Sequence, residues 1–414
     1  MSQQTSGGLL KLFLVAAPVI IIGGLAIVVV TLVNDRPDEG EAKAALQQPT
    51  PILPTLAREA AANVGVSPAD LRALGFDILS PVVMPPDNPL NDAKIELGKL
   101  LFFDPRMSAN SSISCASCHQ PAQGWGEGLD INFGFTNTPH WRNSQTIINS
   151  AYLSKLFWGG EKLSLEAQAK SAWTGATAQN LDPDLAEERM RQIPEYVRLF
   201  TVAFGSTGPS FDDALRAVAA FEATINSTNV PFDRYLEGDT SALSESAIRG
   251  AELFVGQAGC SACHSGPLLT DESFHALGVP DNPKFAQEPL RQITLRFQNR
   301  ARGVSEDVYR TVDTDLGLFY TTKQEIDIDK FRTPMLREVG QTGPYMHNGV
   351  FATLEEVVQF YNAGGGSSPN KSPLIQSLGL DDQEVADLVA FLESLTGDPI
   401  IVEQPDLPDY EVLP

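Results

Sequence analysis

The chain has 414 residues, of which 52 are acidic and 29 are basic, so its formal net charge is −23. This acidity argues against nucleic acid as a partner, and it fits either an acidic docking face or plain solubility. The length suits two or three domains with ample core, and only 5 histidines and 6 methionines are available as metal ligands.

An uncharged run from Leu12 to Val33 predicts a transmembrane helix near the N-terminus. At about 1.5 Å per residue the run reaches about 33 Å, enough to span a bilayer. Lys11 before the run and acidic residues after it place the N-terminus in the cytoplasm and the remaining chain in the periplasm. A cleaved signal peptide, leaving a soluble periplasmic protein, is the alternative; the run is long for one, and the small-x-small site Ala42–Ala44 lies well beyond it.

Residues 34–87 are predicted to be a linker with a short helix, and its first part, residues 34–56, is an acidic, proline-rich tether. A short helix is expected near Thr55–Asn63. Ser67 followed by Pro68 is typical of the N-cap and first turn of another helix.

Two pentapeptides, Cys115–His119 (CASCH) and Cys260–His264 (CSACH), contain every cysteine of the chain. In this pattern, typical of c-type haem attachment, two thiols add across the haem vinyl groups and the histidine binds the iron. Disulfides across such short loops would be strained, and a four-cysteine zinc site would leave the histidines unexplained. Two covalently bound haem c groups are therefore expected, held by Cys115, Cys118 and His119 and by Cys260, Cys263 and His264.

A faint internal repeat precedes the two motifs. Gly98–Phe102 (GKLLF) leads into the first motif, and Gly250–Phe254 (GAELF) leads into the second. The repeat predicts a mainly α fold with two cytochrome c-like helical domains, long loops and the N-terminal transmembrane helix. The apolar spacing of Phe211–Ile225 predicts the helix that closes the first domain.

The predicted boundaries follow from these features. Residues 1–33 form the anchor, 88–240 the first haem domain, 241–400 the second haem domain and 401–414 a C-terminal tail. Residues 276–330 are polar and show little strand alternation, so an irregular segment is expected there.

From about Asn88 to Gly366 the chain resembles the bacterial dihaem cytochrome c peroxidase and MauG family. Besides both haem motifs, the matching segments are Leu97–Arg106, Arg142–Asn143, Phe157–Gly160, Phe331–Pro334, Thr342–Gly349 and Thr353–Val358. The resemblance implies that hydrogen peroxide reacts at the haem on His119 and that the haem on His264 stores electrons. It also implies that Trp158 relays electrons between the haems, whereas a lone tryptophan without this context would be interpreted as core packing.

The resemblance further implies an interdomain calcium ion. Its ligands would be the side chain of Asn143 and the backbone carbonyl groups of Thr342 and Pro344. Oxygen ligands completed by water suit this hard cation.

The sixth ligand of the second haem distinguishes members of the family. Peroxidases carry methionine at the position where this chain has Tyr361, whereas MauG-type members carry tyrosine. Leu354, Val358 and Tyr361 fall on one helical face, a spacing that also fits a buried core tyrosine. A phenolate ligand stabilises oxidised iron, and Met346 is the less favoured alternative ligand.

The peroxide pocket matches the family only in part. Gln168 matches its glutamine, but the glutamate has no clean counterpart, with Gln179 or nothing in its place, and a nearby proline is also missing. Phe135 stands where resting peroxidases carry a displaceable histidine. His140 could replace that ligand but is interpreted as an ordinary loop histidine, and two further histidines are predicted to be structural: His275 and His347.

Three functions remain. The leading hypothesis is a membrane-anchored, periplasmic dihaem peroxidase that takes electrons from a small cytochrome or another redox protein. The second is a MauG-like enzyme that uses peroxide to oxidise tyrosine or tryptophan residues of a partner protein. The third is a non-catalytic electron-transfer cytochrome whose two irons both have six ligands.

Overall fold

The computed structural model describes residues 65–205 and 208–411 of the chain. The predicted transmembrane run Leu12–Val33, the tether that follows it and the helix expected near Thr55–Asn63 lie outside these residues. Within the described ranges, no helix combines the length and the apolar character needed to cross a bilayer.

The described part of the chain is mainly helical, which confirms the predicted class. The helices are α1 (Pro68–Ala73), α2 (Asp92–Phe103), α3 (Cys115–Cys118), α4 (Leu165–Thr174), α5 (Pro183–Arg191), α6 (Pro194–Phe204), α7 (Phe211–Glu222), α8 (Pro231–Leu236), α9 (Glu245–Val255), α10 (Pro283–Gln287), α11 (Pro289–Ala301), α12 (Glu306–Tyr309), α13 (Phe319–Thr322), α14 (Leu354–Asn362) and α15 (Asp382–Glu393). Strand β1 (Phe133–Gly134) pairs antiparallel with β2 (Thr138–Pro139), and β3 (Phe274–Ala276) pairs antiparallel with β4 (Lys330–Arg332).

The N-terminal core forms where α2 crosses α7. A β-carbon on Gly98 would lie 1.9 Å from the carbonyl oxygen of Ala217, so only glycine lets the two backbones approach this closely. One turn later the Phe102 ring packs edge-on against the Phe221 ring, with ring centroids 5.3 Å apart. Helix α4 packs against α7 and adds Trp173 to the same core.

The C-terminal core repeats this arrangement where α9 crosses α15. A β-carbon on Gly250 would lie 1.9 Å from the carbonyl oxygen of Asp387, and the Phe254 and Phe391 ring centroids are 4.9 Å apart. The glycine and the phenylalanine are four residues apart in both halves. The repeated sequences GKLLF and GAELF therefore form the same kind of helix crossing in both halves.

The first residues that the structure describes pack against the C-terminal core, which is far away in sequence. Helix α1 begins as predicted, with the Ser67 hydroxyl accepting a hydrogen bond from the Asp70 N–H at 3.3 Å. Its Leu71, together with Phe76, is buried in the C-terminal core. Residues 66–76, which were expected to belong to the linker, therefore pack against the C-terminal core.

Residues 396–411, here called the C-terminal strap, return in the opposite direction to the N-terminal core. Three apolar side chains of the strap pack against that core: Ile400, Val402 and Leu407. The Trp125 indole N–H donates to the Ile400 carbonyl at 2.7 Å, and Arg106 Nη1 donates to the Pro408 carbonyl at 2.8 Å. The strap therefore links the end of α15 to the segment that follows the first haem motif.

The prediction of an irregular segment over residues 276–330 was wrong, because helices α10 to α13 lie within it. Polar side chains hide the helical pattern of α11, since some of them point inward. Arg291 donates to the His140 carbonyl at 2.8 Å, and Gln298 donates to the Thr177 hydroxyl at 2.9 Å. Helix α11 therefore covers the loop that follows the first haem motif.

Helix α7 begins at Phe211 as predicted but ends at Glu222, before the predicted Ile225. The Ile225 N–H bonds to the Glu222 carbonyl, and the Ile225 carbonyl accepts from the Asn149 N–H at 2.8 Å. This pairing with residue 149 draws the chain away from the helix axis.

Candidate active site

The first haem motif presents its three side chains from one helical turn. Helix α3 carries Cys115 and Cys118, and His119 follows directly. His119 Nδ1 lies 3.1 Å from the Trp125 carbonyl oxygen. When Nδ1–H donates to that oxygen, Nε2 keeps its lone pair for a metal. Burial lowers the pKa of His119, which also favours the neutral ligand form.

The second motif holds its histidine in the same way. Cys260 begins a short 3-10 turn, and His264 Nδ1 lies 3.0 Å from the Leu269 carbonyl oxygen. Cys263, Asp271 and His275 offer ligand atoms within 4.8 Å of one another. Such a cluster could bind a metal ion in a haem-free chain, but a thioether to haem would occupy the sulfur.

All four cysteines are partly buried, and none of them forms a disulfide within the described residues. Burial raises the pKa of the Cys115 and Cys118 thiols to about 12. In both motifs the thiols stand beside a histidine whose Nδ1 lies against a backbone carbonyl, which leaves Nε2 for an iron. The donor sets fit haem better than either alternative.

Trp158 lies at the junction of the two motif-bearing halves. Its indole N–H donates to the Asn143 carbonyl at 3.0 Å, and its own carbonyl accepts from the Arg332 N–H at 2.9 Å. Its ring meets the His347 ring edge-on, with centroids 6.5 Å apart, and His347 stacks on Phe331 at 3.7 Å. A chain of aromatic rings therefore leads from Trp158 to strand β4.

Tyr361 points inward from α14, close to the second motif. Burial, followed by the charges of the Cys260 and Cys263 sulfurs, raises the pKa of its hydroxyl. Among the described residues the hydroxyl has no hydrogen-bond partner. An inward phenol beside both attachment cysteines is well placed to face the second haem, whereas a satisfied core tyrosine would bond to its neighbours.

Helix α4 covers the first motif and carries Gln168. Trp173, on the same helix, contacts the Cys115 sulfur through its indole nitrogen at 3.5 Å. Gln179, by contrast, is 5% exposed, and neither amide atom reaches solvent or a partner within the described structure. An amide cannot give up a proton as the family's pocket glutamate would, so Gln179 could not take over that role.

His140 is bound elsewhere. Its Nε2 lies 2.7 Å from the Thr177 carbonyl oxygen, and its ring stacks on Trp141. The Phe135 N–H, in the loop after the motif, bonds to the Ala178 carbonyl at 2.6 Å. These contacts give His140 a structural role and close the loop against residues 177–178.

Comparison with known proteins decides the family. A family model described as di-haem cytochrome c peroxidase matches residues 92–241. The cytochrome-c peroxidase IdrP1 of Denitromonas iodatirespirans is 53% identical over 339 residues, covering 81% of this chain and 90% of that protein. The chain belongs to the dihaem cytochrome c peroxidase and MauG family.

Two further relatives show the breadth of this family. The methylamine utilization protein MauG of Methylorubrum extorquens is 38% identical over 357 residues, covering 86% of this chain and 93% of that protein. The crystal structure of a MauG-like protein associated with microbial copper homeostasis superposes with a TM-score of 0.65 at 31% identity, covering 77% of this chain and 94% of that one. The chain is therefore an oxidoreductase of the dihaem peroxidase type, with two haem groups.

Asn143, the side chain named for calcium by the family resemblance, lies at the same junction as Trp158. The Asn143 N–H donates to the His347 carbonyl at 2.7 Å, which draws Asn143 to the loop that holds Thr342 and Pro344. Asn143 Nδ2 donates to the Leu129 carbonyl at 2.8 Å, so its Oδ1 remains available as a ligand. These oxygens fit a calcium site.

Sequence reasoning missed a buried ion-pair network beside this junction. Arg142 pairs with Asp315, with Nε 2.5 Å from Oδ2, and with Glu161, which also pairs with Arg302. The partners are far apart in sequence, so no local pattern could reveal them.

Sequence reasoning also missed two acidic residues near the first motif. Burial raises the pKa of Glu127 to about 7 and that of Glu222 to about 8. Comparing the two halves of the internal repeat, position by position, would have singled out Glu222.

Proposed function

We propose that this chain reduces hydrogen peroxide at the haem held by Cys115, Cys118 and His119. The electrons come from the haem held by Cys260, Cys263 and His264. Each haem, when bound, supplies an iron that changes oxidation state. The protein's own residues hold the reactants, conduct electrons and deliver protons.

The observation that carries this proposal is the position of Trp158. Its indole nitrogen binds Asn143 of the N-terminal half, and its carbonyl binds Arg332 of the C-terminal half. An aromatic side chain fixed at both ends, in contact with His347, is suited to pass electrons between the halves. Burial lowers the pKa of His347 to about 4, so this neighbour stays neutral and adds no charge to the path.

The first site is also suited to bind a small oxidant. The Nδ1 hydrogen bond from His119 to Trp125 fixes the proximal side, and α4 lies across the site with Gln168 on it. The Gln168 amide can donate to an oxygen of bound peroxide and so polarise the O–O bond. The binding of His140 to Thr177 leaves this site free of a histidine on the loop side.

The cellular setting is part of the proposal. The chain is held at the inner membrane by Leu12–Val33 and works in the periplasm, where a small cytochrome or another redox protein donates the electrons. A calcium ion held by Asn143, Thr342 and Pro344 stiffens the junction that contains Trp158.

Replacement of Trp158 tests the proposal. In Trp158→Phe, we expect electron transfer from the second to the first haem to slow by about tenfold or more, equal to about 1.4 kcal/mol in the barrier. Stopped-flow absorption of the half-reduced holoprotein mixed with peroxide measures this step. Trp141→Phe is the matched control, because Trp141 is buried but its indole nitrogen has no partner in the described ranges. Transfer at the wild-type rate in Trp158→Phe would refute the relay.

A MauG-like reaction is the second candidate, and Tyr361 favours it. The phenol lies inward beside Cys260 and Cys263. As an anionic ligand it would stabilise the oxidised second haem and so favour oxidation of a partner protein's tyrosine or tryptophan residues. Persistence of the peroxide-oxidised protein without an external electron donor would support this reaction over peroxide reduction.

A further inference from the structure

Glu222 is an acidic residue buried at the end of a helix. It is the last residue of α7 and only 4% exposed. Its carboxyl group makes no hydrogen bond to any residue that the structure describes. A carboxyl group in such a place costs stability unless it is protonated or has a function.

The internal repeat shows that this acid is not required by the fold. Phe221 and Phe391 occupy equivalent positions at the two helix crossings. The next residue, Glu222, therefore corresponds to Leu392 of the C-terminal core. Leu392 is also buried, at 8% exposed. The same structural position therefore carries leucine beside the second motif and an acid beside the first motif only.

Two neighbours locate the carboxyl group. Burial and, to a smaller degree, the charge of Glu222 raise the pKa of the Cys115 thiol, and the charge of Glu166 acts on Glu222. Glu166 lies on α4, the helix that carries Gln168. The packing agrees, because the preceding residue Phe221 shares its core with Cys115, and α7 packs along α4.

The remaining elements packed against this end of α7 contribute no further charge. From α2, Phe102 and Phe103 face Phe221. In the neighbouring turn Ser150–Tyr152, the tyrosine hydroxyl donates to the Ser80 carbonyl at 2.7 Å. Among the residues that the structure describes, Glu166 and Cys115 are thus the titratable groups that interact electrostatically with Glu222.

We propose that Glu222 is the proton donor of the first haem site, in place of the pocket glutamate that this chain lacks. The inference rests on the proposed peroxide reduction. Reduction of one hydrogen peroxide breaks the O–O bond and consumes two electrons and two protons to give two waters. The two electrons would arrive one at a time through the second haem from the external redox protein, Glu222 gives one proton and becomes a carboxylate, and solvent gives the other proton.

A route for reprotonation is visible. Glu166 is partly exposed and accepts a hydrogen bond from Asn88 Nδ2 at 2.9 Å. Lys94 Nζ donates to Asn88 Oδ1 at 3.2 Å. Asn88 and Lys94 are buried and only position the Glu166 carboxylate, whereas Glu166 itself is partly exposed, so it can take a proton from solvent and return it to Glu222.

Two variants test the role of Glu222. Glu222→Gln keeps the shape but cannot release a proton, and Glu222→Leu repeats the residue found at position 392. Asp212→Asn, an exposed acid on the same helix, is the matched control. Redox-difference infrared spectra of the holoprotein, recorded without peroxide, report a protonated carboxyl group near the first haem directly. Stopped-flow mixing with peroxide from pH 6 to pH 10 then measures the reaction.

We expect a carboxylic-acid band in the wild type and in Asp212→Asn that is missing in both Glu222 variants. We also expect the peroxide reaction to slow by about 10²-fold in both variants. In the wild type the rate should fall as pH rises through the pKa of the acid, and this dependence should vanish in the variants.

Three outcomes would overturn the inference. One is an unchanged band in the Glu222 variants, and another is a wild-type peroxide rate in both of them. The third is loss of the band in Glu127→Gln instead. If Glu222→Gln fails to load haem, Glu222→Leu decides the matter, because leucine suits this apolar site. A wild-type protein that shows the band but never reacts with peroxide would contradict the proposed function and not the protonation of Glu222.

Discussion

Gly98 faces the carbonyl group of Ala217 so closely that a β-carbon on the glycine would lie 1.9 Å from the carbonyl oxygen. Gly250 and Asp387 stand in the same relationship at the second crossing. Alanine at either glycine must push two helices apart. We expect Gly98→Ala and Gly250→Ala each to destabilise the holoprotein by about 2–4 kcal/mol in urea unfolding.

Gly208→Ala is the control for these variants. Nothing lies within 4 Å of a β-carbon at Gly208, so the free energy of unfolding of Gly208→Ala should differ from that of the wild type by less than about 0.5 kcal/mol. Crossing-glycine variants as stable as this control would mean that the helices do not touch there.

The C-terminal strap predicts a link between the chain end and the first haem. Trp125 donates its indole N–H to Ile400, and its carbonyl lies 3.1 Å from Nδ1 of His119. Truncation after Pro399 removes the packing of Val402 and Leu407 and the bond from Arg106 to Pro408. We expect the first haem's ferric electron paramagnetic resonance signal to broaden and the N-terminal core to lose about 2–5 kcal/mol.

A shorter truncation is the control for the strap. Removal of residues 412–414 keeps every strap contact named above, so spectrum and stability should match those of the full chain. An unchanged first-haem spectrum after truncation at Pro399 would show that the strap does not position Trp125.

Tyr361 predicts the spectrum of the second haem. In Tyr361→Phe the phenol oxygen is lost, so the second haem should change from six to five ligands and show a high-spin ferric signal. The first haem should be unaffected. Tyr345→Phe, at a tyrosine that bonds to the Val339 carbonyl at 3.0 Å, is the control. An unaltered second-haem spectrum in Tyr361→Phe would make Tyr361 a core residue.

Glu222 predicts how stability depends on pH. Burial raises its pKa in the folded protein to about 8, from an ordinary value near 4.5. Between these values the folded protein holds a proton that the unfolded chain has released, so the free energy of unfolding falls as pH rises from about 5 to 8. In Glu222→Gln the decrease in the free energy of unfolding over this pH range should be about 2–4 kcal/mol smaller than in the wild type, measured by urea unfolding. The control Asp212→Asn keeps Glu222 and should show the full fall in unfolding free energy. An equally large fall in Glu222→Gln would show that Glu222 is not buried.

The sequence predicted the parts of this protein that rest on local patterns. The two haem motifs, the N-cap at Ser67 and the helical class follow from residues close in sequence. The repeat GKLLF and GAELF was found, but its reason appears only when Gly98 meets Ala217, a contact between helices more than a hundred residues apart. Helix α11 was missed because Arg291 and Asn299 point inward and interrupt the apolar pattern.

Positions in the candidate site were predicted less evenly. Trp158, Asn143 and Tyr361 rested on family resemblance; the structure places Trp158 and Asn143 at the junction of the two halves and Tyr361 near Cys260 and Cys263. Gln179 shows the limit of matching by position, since its amide cannot give up a proton as the family's glutamate would. Glu222 was overlooked because a single acid in an apolar helix carries no motif, and its meaning depends on the comparison with Leu392.

Peroxide binding and reduction at the first haem are best tested by electron paramagnetic resonance of the ferric holoprotein, before and after one equivalent of hydrogen peroxide. We predict a high-spin ferric signal from the haem on His119 that disappears on peroxide addition and returns when a reduced cytochrome is supplied. Two low-spin signals that ignore peroxide, in both the oxidised and the half-reduced protein, would contradict it.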